Sequence, residues 1–189
     1  DSLLLVLAVP ELGLKLDGSA EYSCIDVGTG AGFPGIPLKI AFPGLKVTLL
    51  DSLNKRVGFL NEVIEALGLT DITAVHGRAE DYGRDAKYRE QYDICVSRAV
   101  ANMSTLSEYC IPFVKKGGYF IPYKSGKADE EIAQARSAVK KLGGEMKDII
   151  VKVLPETDVE RTFVPVKKMA ITAKKYPRKA GLPGKEPLK

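Results

Sequence analysis

Three glycines at every second position, in Asp26-Val27-Gly28-Thr29-Gly30-Ala31-Gly32-Phe33-Pro34-Gly35, are the residues of this chain best suited to holding a ligand. Lacking a Cβ, they let backbone approach a small molecule where any side chain would collide. A plain turn needs one or two glycines rather than three in five. The spacing is G-x-G-x-G. It departs from the G-x-G-x-x-G that sets a helix N-terminus against a dinucleotide pyrophosphate, because the sixth position is Phe33. S-adenosyl-L-methionine has no pyrophosphate, but it has an adenosine and an amino-acid portion against which such a loop can lie. Asp51 follows 23 residues after Gly28. A carboxylate there can accept both ribose hydroxyls; its other reading is a cap for the helix that begins after Ser52.

Arg78-Ala79-Glu80 falls where the adenine edge would lie, or else forms a solvated loop. Arg98, in Ser97-Arg98-Ala99-Val100, directly follows an apolar run, and Lys124 ends another. Each is either a functional cation at a sheet edge or a charge that solubilises a strand end. Tyr123 and Lys127 match the Y-x-x-x-K of short-chain dehydrogenases, but Gly126 between them, and their place after a strand rather than on a helix, make the match weak. His76 is the one histidine, and Cys24, Cys95 and Cys110 show no C-x-x-C spacing, so no metal site is expected. An odd number of thiols, two of them inside apolar runs, fits a reducing cytoplasm.

The elements that would hold these residues alternate in period. Ser23–Val27 is apolar and runs straight into the glycines, as a buried strand would. Lys46–Asp51, Ile72–Val75 and Tyr92–Val96 read the same way. Between them lie helical patterns: Gly35–Phe42, and Val57, Leu60, Val63, Ile64 and Leu67 at offsets of three and four, closed by Gly68. Ser104–Val114 reads as a helix, Gly117-Gly118 as a turn and Tyr119–Tyr123 as a fifth strand. Asp129–Leu142 is a further helix, stopped by Gly143-Gly144. Two β-rich stretches, 147–154 and 162–173, follow with no helix between. The pattern predicts an α/β fold: a mostly parallel sheet with helices on both faces and an antiparallel C-terminal hairpin at its edge.

At 189 residues, 45% apolar and 28% charged, the chain has the size and composition of one soluble domain. Its longest apolar run, Leu3–Val9, is far short of the ~20 residues that span a bilayer, so no membrane partner is expected. The sequence opens on Asp1 without the basic start and cleavage site of a secretory signal. Net charge is +4, but residues 167–189 hold eight Lys or Arg against one Glu, leaving −3 on the rest. Such a basic end is expected of an arm that meets a polyanion. The organisation expected is a domain over residues 1–173 and a basic tail over 174–189, the tail ordered only by its partner.

Taken together, residues 26–37, Asp51-Ser52-Leu53-Asn54-Lys55-Arg56 with Phe59-Leu60, Arg78–Glu80, Arg98 with its neighbours, and Lys175-Tyr176-Pro177-Arg178-Lys179 closely resemble the bacterial ribosomal small-subunit RNA methyltransferase G family, also called glucose-inhibited division protein B. The similarity runs essentially the whole length, and Gly-Phe-Pro-Gly and Arg-Ala-Val are more specific than a generic glycine loop. It implies a class I, Rossmann-like, S-adenosyl-L-methionine-dependent methyltransferase acting on N7 of the guanine at position 527, in the 530-loop of 16S rRNA. Cofactor contacts would come from Gly28, Gly30, Gly32, Phe33, Asp51, Ser52, Leu53, Ala79, Glu80 and Arg98. Family members carry a helical N-terminal segment before the match to Asp1-Ser2.

N7 of guanine already presents a lone pair, so attack on a sulfonium methyl needs alignment rather than deprotonation. That suits a chain with no Ser-His or Cys-His couple. Arg98 and Lys124 are therefore expected to position rather than to exchange protons, Arg98 by holding a cofactor carboxylate or an RNA oxygen with its planar fork. Lys174, Lys175, Tyr176, Arg178 and Lys179 are expected to contact RNA, and the protein to act as a cytoplasmic monomer on the small ribosomal subunit. Competing readings are an NAD-dependent oxidoreductase on a similar sheet, a non-catalytic RNA-binding module, and a methyltransferase with a small-molecule or protein acceptor.

Overall fold

A computed structural model describes the chain except residues 17, 19, 20, 99, 100 and 125–128. The chain opens with a short helix, α1 (Leu5–Ala8), between two 3-10 turns, Ser2–Leu4 and Val9–Leu12. It then alternates: β1 (Ser23–Val27), α2 (Gly35–Ala41), β2 (Lys46–Asp51), α3 (Asn54–Ala66), β3 (Ile72–His76), α4 (Ala79–Tyr82), β4 (Tyr92–Arg98), α5 (Met103–Cys110), β5 (Val114–Lys124) and α6 (Asp129–Lys141). Strands β6 (Gly144–Met146), β7 (Ile150–Val153), β8 (Glu160–Phe163) and β9 (Val166–Lys168) follow, and a short helix, α7 (Leu182–Lys185), lies near the C-terminus.

The described strands form one sheet in the order β3-β2-β1-β4-β5-β8-β7, with β6 joined through β9 to β5. Strands β1 to β5 are mutually parallel and the later ones pair antiparallel. Period-two alternation explains why both faces are covered. Ile25, Cys95 and Phe120 pack with residues of α5 and α6, whereas Cys24, Ile94, Val96 and Ile121 pack on the other face with residues of α1, α2 and α3. Side chains fully buried on both faces of the central strands require flanking helices, as parallel sheets do.

Four local expectations are corrected. The helix expected over Ser104–Val114 stops at Cys110, because Pro112 sits in a 3-10 turn and Val114 already pairs with Tyr92. Gly117-Gly118 is accordingly part of β5 rather than a turn. The register jumps there from Tyr92–Val114 to Ile94–Tyr119, and Gly117 takes φ +91°. A Cβ on Gly118 would lie 2.4 Å from the Asp93 carbonyl, so only glycine lets the bulged strand close on β4. The stretch 162–173 is two short strands, β8 and β9, broken at Pro165, which has no N–H for a ladder. Finally, residues 174–189 are not an arm awaiting a partner. They form a strap: Arg84 Nε donates to the Pro177 carbonyl (2.7 Å), Arg89 Nη1 to the Tyr176 carbonyl (2.8 Å), and Thr105 Oγ1 to the Pro183 carbonyl (3.0 Å).

Candidate functional site

Strands β1 and β4 are neighbours, but the chain leaves β1 towards β2 and leaves β4 towards β5, so a crevice opens at their carboxyl ends. The glycine loop fills the β1 side of it. Gly28, Gly30 and Gly32 take φ of +72°, +62° and +94°, the left-handed region where a side chain is strained. Asp26 shapes the loop from below. One carboxylate oxygen accepts the Thr29 hydroxyl (2.7 Å) and the Gly35 N–H (2.9 Å), while Oδ1 has no partner among the described residues. Burial, with 0% exposure, pushes the Asp26 carboxyl up to about 6, against the lowering effect of these two bonds and of Arg98. Gly35 is glycine for packing: a Cβ would stand 2.3 Å from Leu49 Cδ2.

Beside the loop lies a cavity of about 150 Å³ lined by Gly28, Leu50, Ser52, Ala79, Glu80 and Tyr109, among others. It is smaller than the ~300–1,000 Å³ of a whole-ligand site and has room for one end of a nucleoside-bearing ligand. Gly28, Ser52 and the adjacent pair Ala79-Glu80, three places far apart in sequence, meet here. Glu80 is buried, and its Oε1 accepts the Gly181 N–H at 2.8 Å. Gly30 and Leu53 instead border a second, more apolar hollow of about 410 Å³ with Ala31, Lys55, Arg56 and Phe59. Gly32 faces Ile36 and Leu60, its glycine needed for helix packing.

Asp51 serves the loop directly. Its Oδ2 accepts the Gly30 N–H (2.9 Å) and the Arg56 guanidinium (3.4 Å), and Oδ1 accepts the Leu53 N–H (2.9 Å). The helix-cap reading is corrected: the N-cap of α3 is Leu53, with no side-chain cap, and Asp51 instead ties the glycine loop to the turn that leads into α3. A carboxylate has about four acceptor positions, so Oδ1 keeps capacity for a hydroxyl. Phe33 is 46% exposed at the rim, with the Arg98 guanidinium over its ring at 5.6 Å. Arg98 also donates to Asp1 Oδ2 (3.2 Å) and Ser2 Oγ (3.3 Å), bonds that are partly exposed and so weak.

Lys124 stands apart from this group: its ammonium is held by the Ala101 carbonyl (2.9 Å) and Glu131 (2.6 Å). Ala99 and Val100, and Lys127 of the dehydrogenase-like match, lie outside the described residues. Of the five residues expected to meet RNA, Lys174, Lys175 and Lys179 are exposed. Tyr176 is buried, and the Arg178 fork is closed on Glu108, with Nε to Oε1 at 2.9 Å and Nη2 to Oε2 at 2.7 Å. Tyr176 is thereby corrected to a buried position, and Arg178, half-buried, has its fork taken by a fully buried carboxylate, which demands a charged partner. Another cation of the basic end, Lys168, is also internal, bound to the Ile111 carbonyl, Thr172 and Glu90.

Tyr109, Glu108 and Gly181 carry no functional signal in the sequence. Tyr109 and Glu108 sit in an ordinary amphipathic helix, and Gly181 reads as a loop glycine. Glu108 between Ser107 and Tyr109, on a helix whose neighbours are all core residues, is the available hint.

A family model described as rRNA small subunit methyltransferase G matches residues 9–163. Curated proteins named ribosomal RNA small subunit methyltransferase G align over most of the chain. The one from Lachnoclostridium phytofermentans is 58% identical over 164 residues, 87% of this chain and 68% of that protein. The one from Clostridium botulinum strain Loch Maree is 56% identical over 167 residues, 88% and 70% respectively. Among solved structures, a putative sarcosine dimethylglycine methyltransferase from Galdieria sulphuraria superposes with a TM-score of 0.65 at 14% identity, covering 89% of this chain and 85% of that one. At that identity the likeness speaks to fold alone: the sheet and its helices are those of a class I, Rossmann-like methyltransferase.

Proposed function

Because the chain belongs to the rRNA small subunit methyltransferase G family, we propose that it transfers the methyl group of S-adenosyl-L-methionine to N7 of one guanine in the 530-loop of 16S rRNA. The observation that carries this reading is the cavity between Gly28 and Glu80, where a glycine with φ +72° gives up its Cβ beside a buried carboxylate. An adenine presents an exocyclic amine that such a carboxylate accepts, and the Gly28 backbone leaves room for the rest of the nucleoside. Oδ1 of Asp51 is the acceptor for a ribose hydroxyl. Ser52 and Leu53 carry the backbone that turns around it.

The cofactor when bound supplies an electrophilic methyl group. The protein supplies alignment: N7 attacks in line at ~3 Å, and no side chain need remove a proton from it. Arg98 is suited to hold an oxyanion at the rim, since its present partners are exposed and exchangeable. Phe33 offers an exposed ring against which an extruded base can stack. Lys124, held by Glu131 and the Ala101 carbonyl, is suited to brace the carboxyl end of β5, which pairs with β4 at Arg98.

Titration calorimetry with S-adenosylhomocysteine and, separately, NADH tests the ligand class. Heat is expected with the first and none with the second; the reverse would make this an oxidoreductase. Methyl transfer from labelled S-adenosyl-L-methionine to 30S subunits lacking the modification, with mass-spectrometric mapping of the product, tests the acceptor. Binding of the cofactor with no label in RNA would favour a non-catalytic module or another acceptor.

The exposed lysines of the strap are suited to RNA phosphates. Replacing Lys174, Lys175 and Lys179 together with Gln is expected to weaken binding to 16S rRNA and to flatten the plot of log affinity against log salt by about 0.7–0.9 for each phosphate no longer neutralised. Filter binding across a potassium chloride series measures this, and an unchanged slope would remove these lysines from the interface. We further propose that the protein acts as a cytoplasmic monomer on the small ribosomal subunit.

A further inference from the structure

We infer that Arg178 is a positioning residue for the cofactor pocket: through Glu108 it clamps the C-terminal strap across α4 and α5, the two helices that form one wall of that pocket. The inference rests on the ligand assignment above and adds a component that touches no ligand. Ala79 and Glu80 come from α4 and Tyr109 from α5, and these elements are separated by the whole of β4. Helix α4 has only four residues, too few to be held by its own hydrogen bonds.

The strap supplies what α4 lacks. Arg84 and Arg89, just past α4, donate to carbonyls of Pro177 and Tyr176. The next residue, Arg178, then crosses to α5. Its backbone N–H (2.7 Å) and its fork both meet Glu108, whose side chain is 0% exposed. Three residues on, the Gly181 N–H returns to Glu80 Oε1. Pro183 accepts the Thr105 hydroxyl, and Gly184 lies close to the Tyr109 hydroxyl. The segment therefore touches α5, the pocket carboxylate on α4, and α5 again within a few residues. A bidentate guanidinium–carboxylate pair fixes orientation as well as distance, which a lysine at the same place does not. With Arg178 in place, Glu80 is held by the Gly181 N–H at the wall of the cavity. Without it, the strap loses its tie to Glu108 three residues before the Gly181 N–H that reaches Glu80.

The test uses the full chain. Arg178→Met is expected to raise the dissociation constant for S-adenosylhomocysteine by about tenfold, the worth of hydrogen bonds to a charged group. The Michaelis constant for S-adenosyl-L-methionine should rise in step, while the rate at saturating cofactor and the salt slope of RNA binding stay near wild type. Arg178→Lys should recover part of that loss, since it keeps a cation over Glu108. If Arg178→Met fails to fold, Arg178→Lys carries the test, because it keeps a cation over Glu108 but not the two-pronged pair and should still bind cofactor more weakly than wild type. Unchanged cofactor affinity in the variant that folds would overturn the inference. So would a flatter salt slope with normal cofactor affinity, which would return Arg178 to the RNA surface. If wild-type protein binds no S-adenosylhomocysteine at all, the ligand assignment fails rather than the clamp.

Discussion

Arg98→Ala is expected to lower single-turnover methyl transfer to 30S subunits by about a hundredfold to a thousandfold, the range seen when one preorganised charge or donor is removed from an active site. The expectation comes from where β4 delivers the side chain. Arg98 ends a strand that is buried along most of its length, beside the glycine loop, with its guanidinium over Phe33 and its charge felt by Asp26. Its bonds to Asp1 and Ser2 are partly exposed and release it at little cost. Arg98→Lys separates charge from geometry: a lysine retains the charge but not the two-pronged match to a carboxylate, so only part of the loss should be recovered. Wild-type turnover and cofactor affinity in Arg98→Ala would remove the residue from the site.

Stability should fall by about 3 kcal/mol as pH rises through the range set by Asp26, and Asp26→Asn should abolish that fall. Burial holds this carboxyl at about 6 against an ordinary value of 3.8. Each tenfold difference in proton affinity between the folded and unfolded states is worth about 1.4 kcal/mol. The folded protein binds more protons than the unfolded chain between those values. Unfolding free energy therefore declines with rising pH, beginning near 3.8 and complete above about 6. Oδ1 has no partner among the described residues, so ionisation leaves a buried oxygen without a donor there. Asparagine stays neutral throughout. Urea unfolding of both proteins from about pH 4 to about pH 7 should show the variant gaining about 3 kcal/mol relative to wild type. Other titrating groups are common to both and cancel. A pH-independent difference would mean that water reaches Asp26.

The parallel half of the fold is legible in the sequence because its strands are short, apolar and punctuated: β1 and β2 begin and end where their residues predict. What misleads is punctuation with a second use. Gly117-Gly118 looks like a turn in sequence, yet the pair allows a bulge against Asp93 that no local pattern encodes. The four site residues that meet in one cavity are legible as a motif plus the ends of two strands. Glu108 and Gly181 are not, because their importance arises from a partner 70 and 101 residues away. The strap looks solvated in sequence because lysines dominate its composition, while the two residues that anchor it, Tyr176 and Arg178, are polar enough to pass for surface.

The order of strands carries a consequence for synthesis. Strand β1 is paired on one side with β2 and on the other with β4, so residues 24–26 must await residues 94–96 before the sheet has its centre. A nascent chain that has exposed β1 to β3 holds an open edge at β1, with Ile25 and Cys24 still lacking their neighbours. Long-range parallel pairing of this kind is slow and leaves apolar strand exposed in the interval. The crevice beside the glycine loop, which needs both β1 and β4 for its walls, is therefore complete only after β4 has left the ribosome.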